Sequence, residues 1–271
     1  MLDKIYEATK LICNAYSSQY AKFKTREDCE KYFLHKLKHT FAVAHTIIDI
    51  MIREDSIQPY LTTEVKELIE LSAILHDLAR FYQCDENGNF IPNYIFHHGA
   101  KAVDILKANP LFNNPILLFA ISSHDLISID YNSEYYTSLS DKDKKIADIV
   151  AKILRDADKL ENMENFILHG IPVFHHPNGS LTDIVRQSII KKEFIDNKNL
   201  KTISDHIAIV ISWVNDIYFD ATKETIKKMN YVKILLNEFV KYGATAEDVK
   251  LVKEMVNYND WYKTKNFFWT P

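Results

Sequence analysis

An apolar period of three and four residues recurs along nearly the whole chain, and it limits the fold more than any other feature. Ile5, Ala8, Ile12, Ala15 and Tyr16 set it first and predict an amphipathic opening helix. A second helix is predicted over about 26–54, with an apolar stripe of Leu34, Leu37, Phe41, Ala44, Ile48 and Met51. The segment 55–59 breaks it. Thr62-Thr63-Glu64 offers an N-cap to a third helix ending near Arg80, although Thr63 and Lys66 do not complete a capping box. Further helices are predicted over about 98–108, stopped by Asn109-Pro110, and 115–123, where Pro115 sits in a first turn that does not need its N–H.

The segments 85–89 and 128–140 are polar and read as loops. Ser140-Asp141-Lys142-Asp143 then opens a long helix through Asp158 to about Asn165. The stretch 169–179 alone is dense in Gly and Pro and predicts a short hairpin or a loop over a site. From about Leu181 the pattern gives three or four more helices, the last over about 246–261. Only 5 Gly and 7 Pro in 271 residues exclude a turn-rich all-β design. No flexible linker interrupts the pattern. The expectation is therefore one all-α domain over 1–271, with a core at about 26–165 and a helical C-terminal extension at about 181–271.

Several function classes drop out. A net charge of −4 offers no basic field for a nucleic acid polymer. No run of 18 apolar residues suggests a membrane span, and the charged start, MLDKIYEATK, lacks a signal core. Cys13, Cys29 and Cys84 are odd in number and contain no CxxC, so they read as the reduced thiols of a cytoplasmic protein.

The chemistry concentrates elsewhere. His76 and Asp77 end the apolar run Leu71-Ser72-Ala73-Ile74-Leu75. A carboxylate drawn inward is costly unless it meets a cation or a metal. His39 lies upstream in a long helix, and His98, His124 and Asp158 lie downstream. Taken singly, a helical histidine is more often a packed or surface residue than a ligand. Together, imidazole and carboxylate suit Fe, Mn, Zn, Co or Ni. No cysteine is near, which excludes a closed thiolate zinc site, and few protein ligands leave positions open for water or substrate.

The ordered segments Lys38-His39-Thr40, then His76-Asp77-Leu78-Ala79-Arg80-Phe81, then Arg155-Asp156-Ala157-Asp158-Lys159-Leu160 resemble the HD-domain superfamily of metal-dependent phosphohydrolases. They are most similar to a bacterial group with HDxxRF and RDADKL motifs, over roughly 35–165. The resemblance implies an HD helical bundle with His39, His76, Asp77 and Asp158 as ligands. Asp156 competes with Asp158, which is preferred because Ala157-Asp158-Lys159-Leu160-Glu161-Asn162 resembles the ADRLxN segment of guanosine-tetraphosphate hydrolases. His98 and His124 look like the extra ligands of bimetallic relatives, with Asp77 bridging two ions; Ala102 stands where HxxxG-type segments have glycine. The residues after His124, Asp125-Leu126-Ile127, do not carry the GYP signature of cyclic-di-GMP hydrolases.

The activity implied by this resemblance is hydrolysis of a phosphate ester, of a nucleotide or related small molecule, by metal-activated hydroxide on one or two divalent ions. Asp77, Arg80 and Lys159 are the candidate catalytic residues, the two cations as phosphate ligands. Two other readings share the ligand set: a di-iron oxygenase and a non-catalytic sensor. His35 and His45 read as outer residues, His97 leaves the assignment of His98 ambiguous by one, and His169, His175 and His176 read as surface. Tyr131, Tyr135 and Tyr136 read as loop packing. The tail Phe267-Phe268-Trp269 predicts docking on the body or on a second copy of the chain.

Overall fold

A computed structural model of the chain describes residues 2–24, 26–170 and 176–261, and for Leu2, Asn93 and Tyr94 the backbone alone. The chain divides into two compact units, Met1–Glu161 and Asn162–Pro271. Among the described residues the regular structure is helical, and strand pairing is confined to one isolated bridge between Cys84 and Phe90. The fold is an all-α helical bundle, as the periodicity requires. No helix among the described residues is long and apolar enough to cross a membrane.

In the first unit, α1 (Leu2–Phe23) and α2 (Glu27–Arg53) pack with α3 (Thr63–Leu75). The short α4 (Asn93–Phe96) leads to α5 (His98–Lys107), which packs on α6 (Pro115–Ser123). A further short helix, α7 (Glu134–Thr137), lies inside the predicted 128–140 loop, and α8 (Asp141–His169) comes next, with its residues to Glu161 in this unit. Ala8, Ile12, Phe33, Leu75, Leu78, Phe81, Leu106, Leu117 and Ile121 meet in one buried cluster. The predicted first helix thus buries its Ala8, Ile12 and Ala15 face.

Two predicted details are corrected. The buried face of α2 carries Phe33, Lys36, His39, Thr40, Val43, Ile47, Ile50 and Met51. Leu34, Phe41 and Ile48 are 38%, 40% and 44% exposed. Hydrophobicity alone selected a neighbouring row because three inward positions hold polar side chains.

The third helix is capped by Thr62, whose hydroxyl accepts from Val65 N at 3.3 Å, but it stops at Leu75, short of Arg80. His76 still has helical angles, whereas Asp77 turns out to φ −99°, ψ 14° and opens a 3₁₀ turn over Leu78–Tyr82. The break frees Asp77 to be held by Lys36 on one side and Arg80 on the other.

The C-terminal end of α6 is secured from α8. The fully buried Arg155 donates from Nη1 to the carbonyls of Ser123 and Leu126 at 2.6 and 2.8 Å, and from Nη2 to Ile127 O at 3.1 Å. One guanidinium thus satisfies carbonyls that a helix end leaves open.

The second unit contains α9 (Asp183–Lys191), α10 (Ile203–Ser212), α11 (Asp220–Lys228), α12 (Tyr231–Lys241) and α13 (Ala246–Met255). Among the described residues from Leu181 onward that is five α-helices, where the period gave three or four. Lys192 and Asn230, at φ 58° and 56°, end or begin helices in the left-handed region, which a hydrophobic pattern does not register. Capping boxes, Thr202 with Asp205 and Thr245 with Asp248, start α10 and α13. Arg186 holds the fully buried Asp248 at 2.7 Å. Gly243, at φ 107°, leaves room for the Gly179 backbone 3.2 Å from where a Cβ would stand. The segment 171–175 and the tail Phe267-Phe268-Trp269 lie outside the described residues.

Replacing Arg155 with Met is expected to strand the α6 carbonyls and lower stability by about 2–4 kcal/mol. Urea unfolding monitored by helical circular dichroism checks this; an unchanged midpoint would refute the clamp.

Candidate metal centre

Five helical segments deliver the site. His39 and Lys36 come from the buried face of α2, His76 and Asp77 from the break after α3, and His98 opens α5. His124 caps the C-terminus of α6, and Asp158 and Glu161 lie three apart on α8, where i and i+3 share a face. His39, His76, Asp77, His98 and His124 are all buried.

The four histidines obey one rule. Each uses Nδ1 to donate outward: His39 to Glu161, His76 to Ala73 O at 2.7 Å, His98 to Asp125 Oδ2 at 3.1 Å, and His124 to Ile121 O at 2.6 Å. With Nδ1 occupied, the neutral ring presents its Nε2 lone pair inward. His39 Nε2 and His76 Nε2 are 3.3 Å apart, and those of His98 and His124 3.0 Å.

Asp77 divides the cluster. Its Oδ2 lies 3.6 and 3.7 Å from Nε2 of His39 and His76, and its Oδ1 lies 3.3 and 3.8 Å from Nε2 of His98 and His124. Asp158 Oδ1 joins the first half, 3.0 Å from His39 Nε2 and 3.9 Å from His76 Nε2. His39, His76 and Asp158, and separately His76, Asp77 and His124, bring one donor atom each within 4.8 Å of one another.

Inward lone pairs at such separations repel unless a positive charge lies between them. Ligands about 2.0–2.1 Å from a common ion stand roughly 3–3.5 Å from each other. The donors therefore fit divalent cations, and their all-nitrogen-and-oxygen chemistry fits Fe, Mn, Zn, Co or Ni.

The electrostatics divide the four rings into two neutral and two proton-holding ones. Burial pushes His76 down to about 4, and burial with the Arg80 charge holds His98 well below its ordinary value, so both rings stay neutral. Burial opposes the charge on Asp77, but Lys36, His76 and Arg80 hold it well below the usual carboxylate range. Burial also opposes Asp158, but the His39 hydrogen bond holds it low. His39 and His124 behave differently: burial and the Lys36 charge push His39 down, yet hydrogen bonds to Asp158 and Glu161 prevail and raise it to about 9, and burial opposes the charge on His124 while its hydrogen bond to Asp77 and the Asp125 charge raise it.

The geometry separates the sequence candidates. Asp158, rather than Asp156, approaches the histidines; two residues along a helix turn the side chain by about 200°. His98 is buried, while His97 is exposed at φ 46°. Arg80 donates from Nε to Asp77 Oδ1 at 3.3 Å and from Nη1 to Gln83 Oε1 at 2.8 Å. Lys159 is half-buried on α8 beside Asp158. The His35 ring lies nearly parallel to His39 with centroids 6.3 Å apart, and His45 is exposed. Tyr136 packs on Phe119 and Tyr131, and Tyr131 donates to Asp148 at 2.6 Å. His169 and His176 belong to the second unit, and His175 lies outside the described residues.

Sequence reasoning missed three groups. Glu161 and Lys36 each stand three residues from a predicted ligand on the same helix, a spacing that could have flagged them. Asp125 gave no signal beyond its place next to His124. It also accepts from Gly99 N at 3.0 Å, and a Cβ on Gly99 would stand 2.5 Å from Asp125 Oδ1 and 2.8 Å from Ile121 O. The glycine needed for close approach is therefore residue 99, not position 102.

Residues 37–163 match the family model of the HD domain. No curated protein and no solved structure matches the chain significantly.

Two outcomes are expected. Below pH 9 the metal-free protein holds a proton on His39 that a cation must displace. Metal uptake at pH 7 should therefore release at least about one proton per chain, and affinity should rise with pH towards 9. Calorimetry in buffers of different ionisation enthalpy measures this, and uptake without proton release would contradict it. Gly99→Ala should push Asp125 and the end of α6 away from His98 and cut metal content, read by elemental analysis of the folded protein.

Proposed function

Because residues 37–163 form an HD domain, and HD domains are generally metal-dependent hydrolases, we propose that this protein hydrolyses a phosphate ester of a nucleotide or related small molecule. The observation that carries the reading is the division of Asp77, whose two oxygens face two separate sets of imidazoles. A carboxylate placed this way suits a bridge between two cations. His39, His76, Asp77 and Asp158 would hold one ion, and Asp77, His98 and His124 the other. Bound there, divalent ions supply a nucleophile at neutral pH and positive charge opposite the phosphoryl oxygens.

The chain's own groups do the rest. Glu161 and Asp125 fix the tautomers of His39 and His98, so that Nε2 faces the reaction centre without reorganisation. Arg80, tied to Asp77 and Gln83, orients the bridging carboxylate and adds positive charge. Gln83 is anchored in turn by Tyr32 Oη at 2.9 Å and by its own bond to Ile91 O at 2.7 Å. Lys159 is a further source of charge along α8. Burial of the imidazoles and of Asp77 keeps bulk water from competing for the donors, which strengthens each polar contact.

The test pairs elemental analysis with a phosphate-release screen over nucleotides and simple phosphate esters. The wild-type protein should carry one or two transition-metal ions and release phosphate or a phosphomonoester. His76→Ala and Asp77→Ala should each lose metal and reduce turnover by at least about 100-fold. His98→Ala should retain part of the metal. Variants that keep full metal and turnover would end the assignment. Substrate-dependent oxygen uptake by an iron-loaded protein would replace it with oxygenase chemistry, and bound metal with no turnover would favour a sensor.

A further inference from the structure

Lys36 stands out among the cations near the site. It lies one helical turn before His39 on α2, outside the residues that match the HD family, and is 9% exposed. Its Nζ is 2.9 Å from Asp77 Oδ2, the carboxylate oxygen that faces His39 and His76. Among the described residues this is the one acceptor that Nζ meets. An ammonium has three donors, and Asp77 takes one of them. Arg80, by contrast, already places donors on Asp77 and Gln83.

We propose that Lys36 is a substrate-contacting residue whose remaining donors bind a non-bridging oxygen of the phosphoryl group beside Asp77. The inference rests on the phosphohydrolase reading and deepens it by naming the cation that touches the substrate. A phosphoryl oxygen supplies both a hydrogen-bond acceptor and negative charge, which suit the donors of this ammonium that Asp77 does not take. The compact lysine head suits a point contact of this kind, whereas the guanidinium fork of Arg80 is committed to its neighbours. A residue that only neutralised Asp77 would act on metal retention; a residue that meets the substrate acts on anion affinity with the metal in place.

The experiment uses the full chain loaded with saturating metal and inorganic phosphate as probe. Calorimetry gives phosphate affinity, elemental analysis gives metal content, and KM and kcat are measured on the best ester from the screen. Lys36→Met should keep its metal and its fold while losing phosphate affinity by about 10- to 100-fold, with KM rising in parallel. Lys36→Arg should recover part of the loss, and Lys38→Met, at an exposed position on the same helix, should behave as wild type. If Lys36→Met does not fold, Lys36→Gln serves, and the same loss is expected. Unchanged phosphate affinity in a folded, metal-loaded Lys36 variant overturns the proposal and leaves the hydrolase reading standing. A metal-loaded wild type that neither binds phosphate nor hydrolyses any ester overturns both.

Discussion

The site's architecture depends on one buried carboxylate. Asp77 sits where water cannot solvate it, and its neighbours are arranged to satisfy it: Lys36 and Arg80 from two sides and four inward imidazoles around it. That requirement explains local features that otherwise look like defects. α3 ends early because a continuing helix would aim residue 77 elsewhere. α2 gives three positions of its buried face to polar side chains. A fully buried arginine is spent on the carbonyls after α6, which fixes the approach of His124.

Much of this was legible in the sequence. A long helical period with few glycines and prolines specified an all-α fold, because helices need only an amphipathic stripe and intact backbone hydrogen bonds. The order of His39, His76-Asp77 and Asp158 marked the site, since carboxylates at the edge of apolar runs demand a partner. The structure brings these residues together with His98 and His124 around shared oxygens, with Asp158 Oδ1 3.0 Å from His39 Nε2.

The rest was hidden for physical reasons. Hydrophobic patterning assigns the inward face to apolar residues, so it misplaced the stripe on α2, where Lys36, His39 and Thr40 point inward. It also runs through backbone changes that carry no apolar signature, as at Asn230. Glu161 and Asp125 are ordinary acidic residues until His39 and His98 are placed beside them; their meaning is tertiary. Gly99 could not be distinguished from a flexible helix start until the closeness of Asp125 and Ile121 O was known.

The outward Nδ1 anchors have a consequence for how the centre is supplied. Backbone carbonyls and carboxylates hold each ring in place, so the protein's own hydrogen bonds set the inward-facing donors of the cage. Hard and borderline divalent metals bind such a nitrogen-and-oxygen cage in an order set by their own chemistry, so the resident species is decided largely by what the surroundings offer. The same polypeptide taken from iron-rich and manganese-rich growth would then carry different occupants in an identical frame.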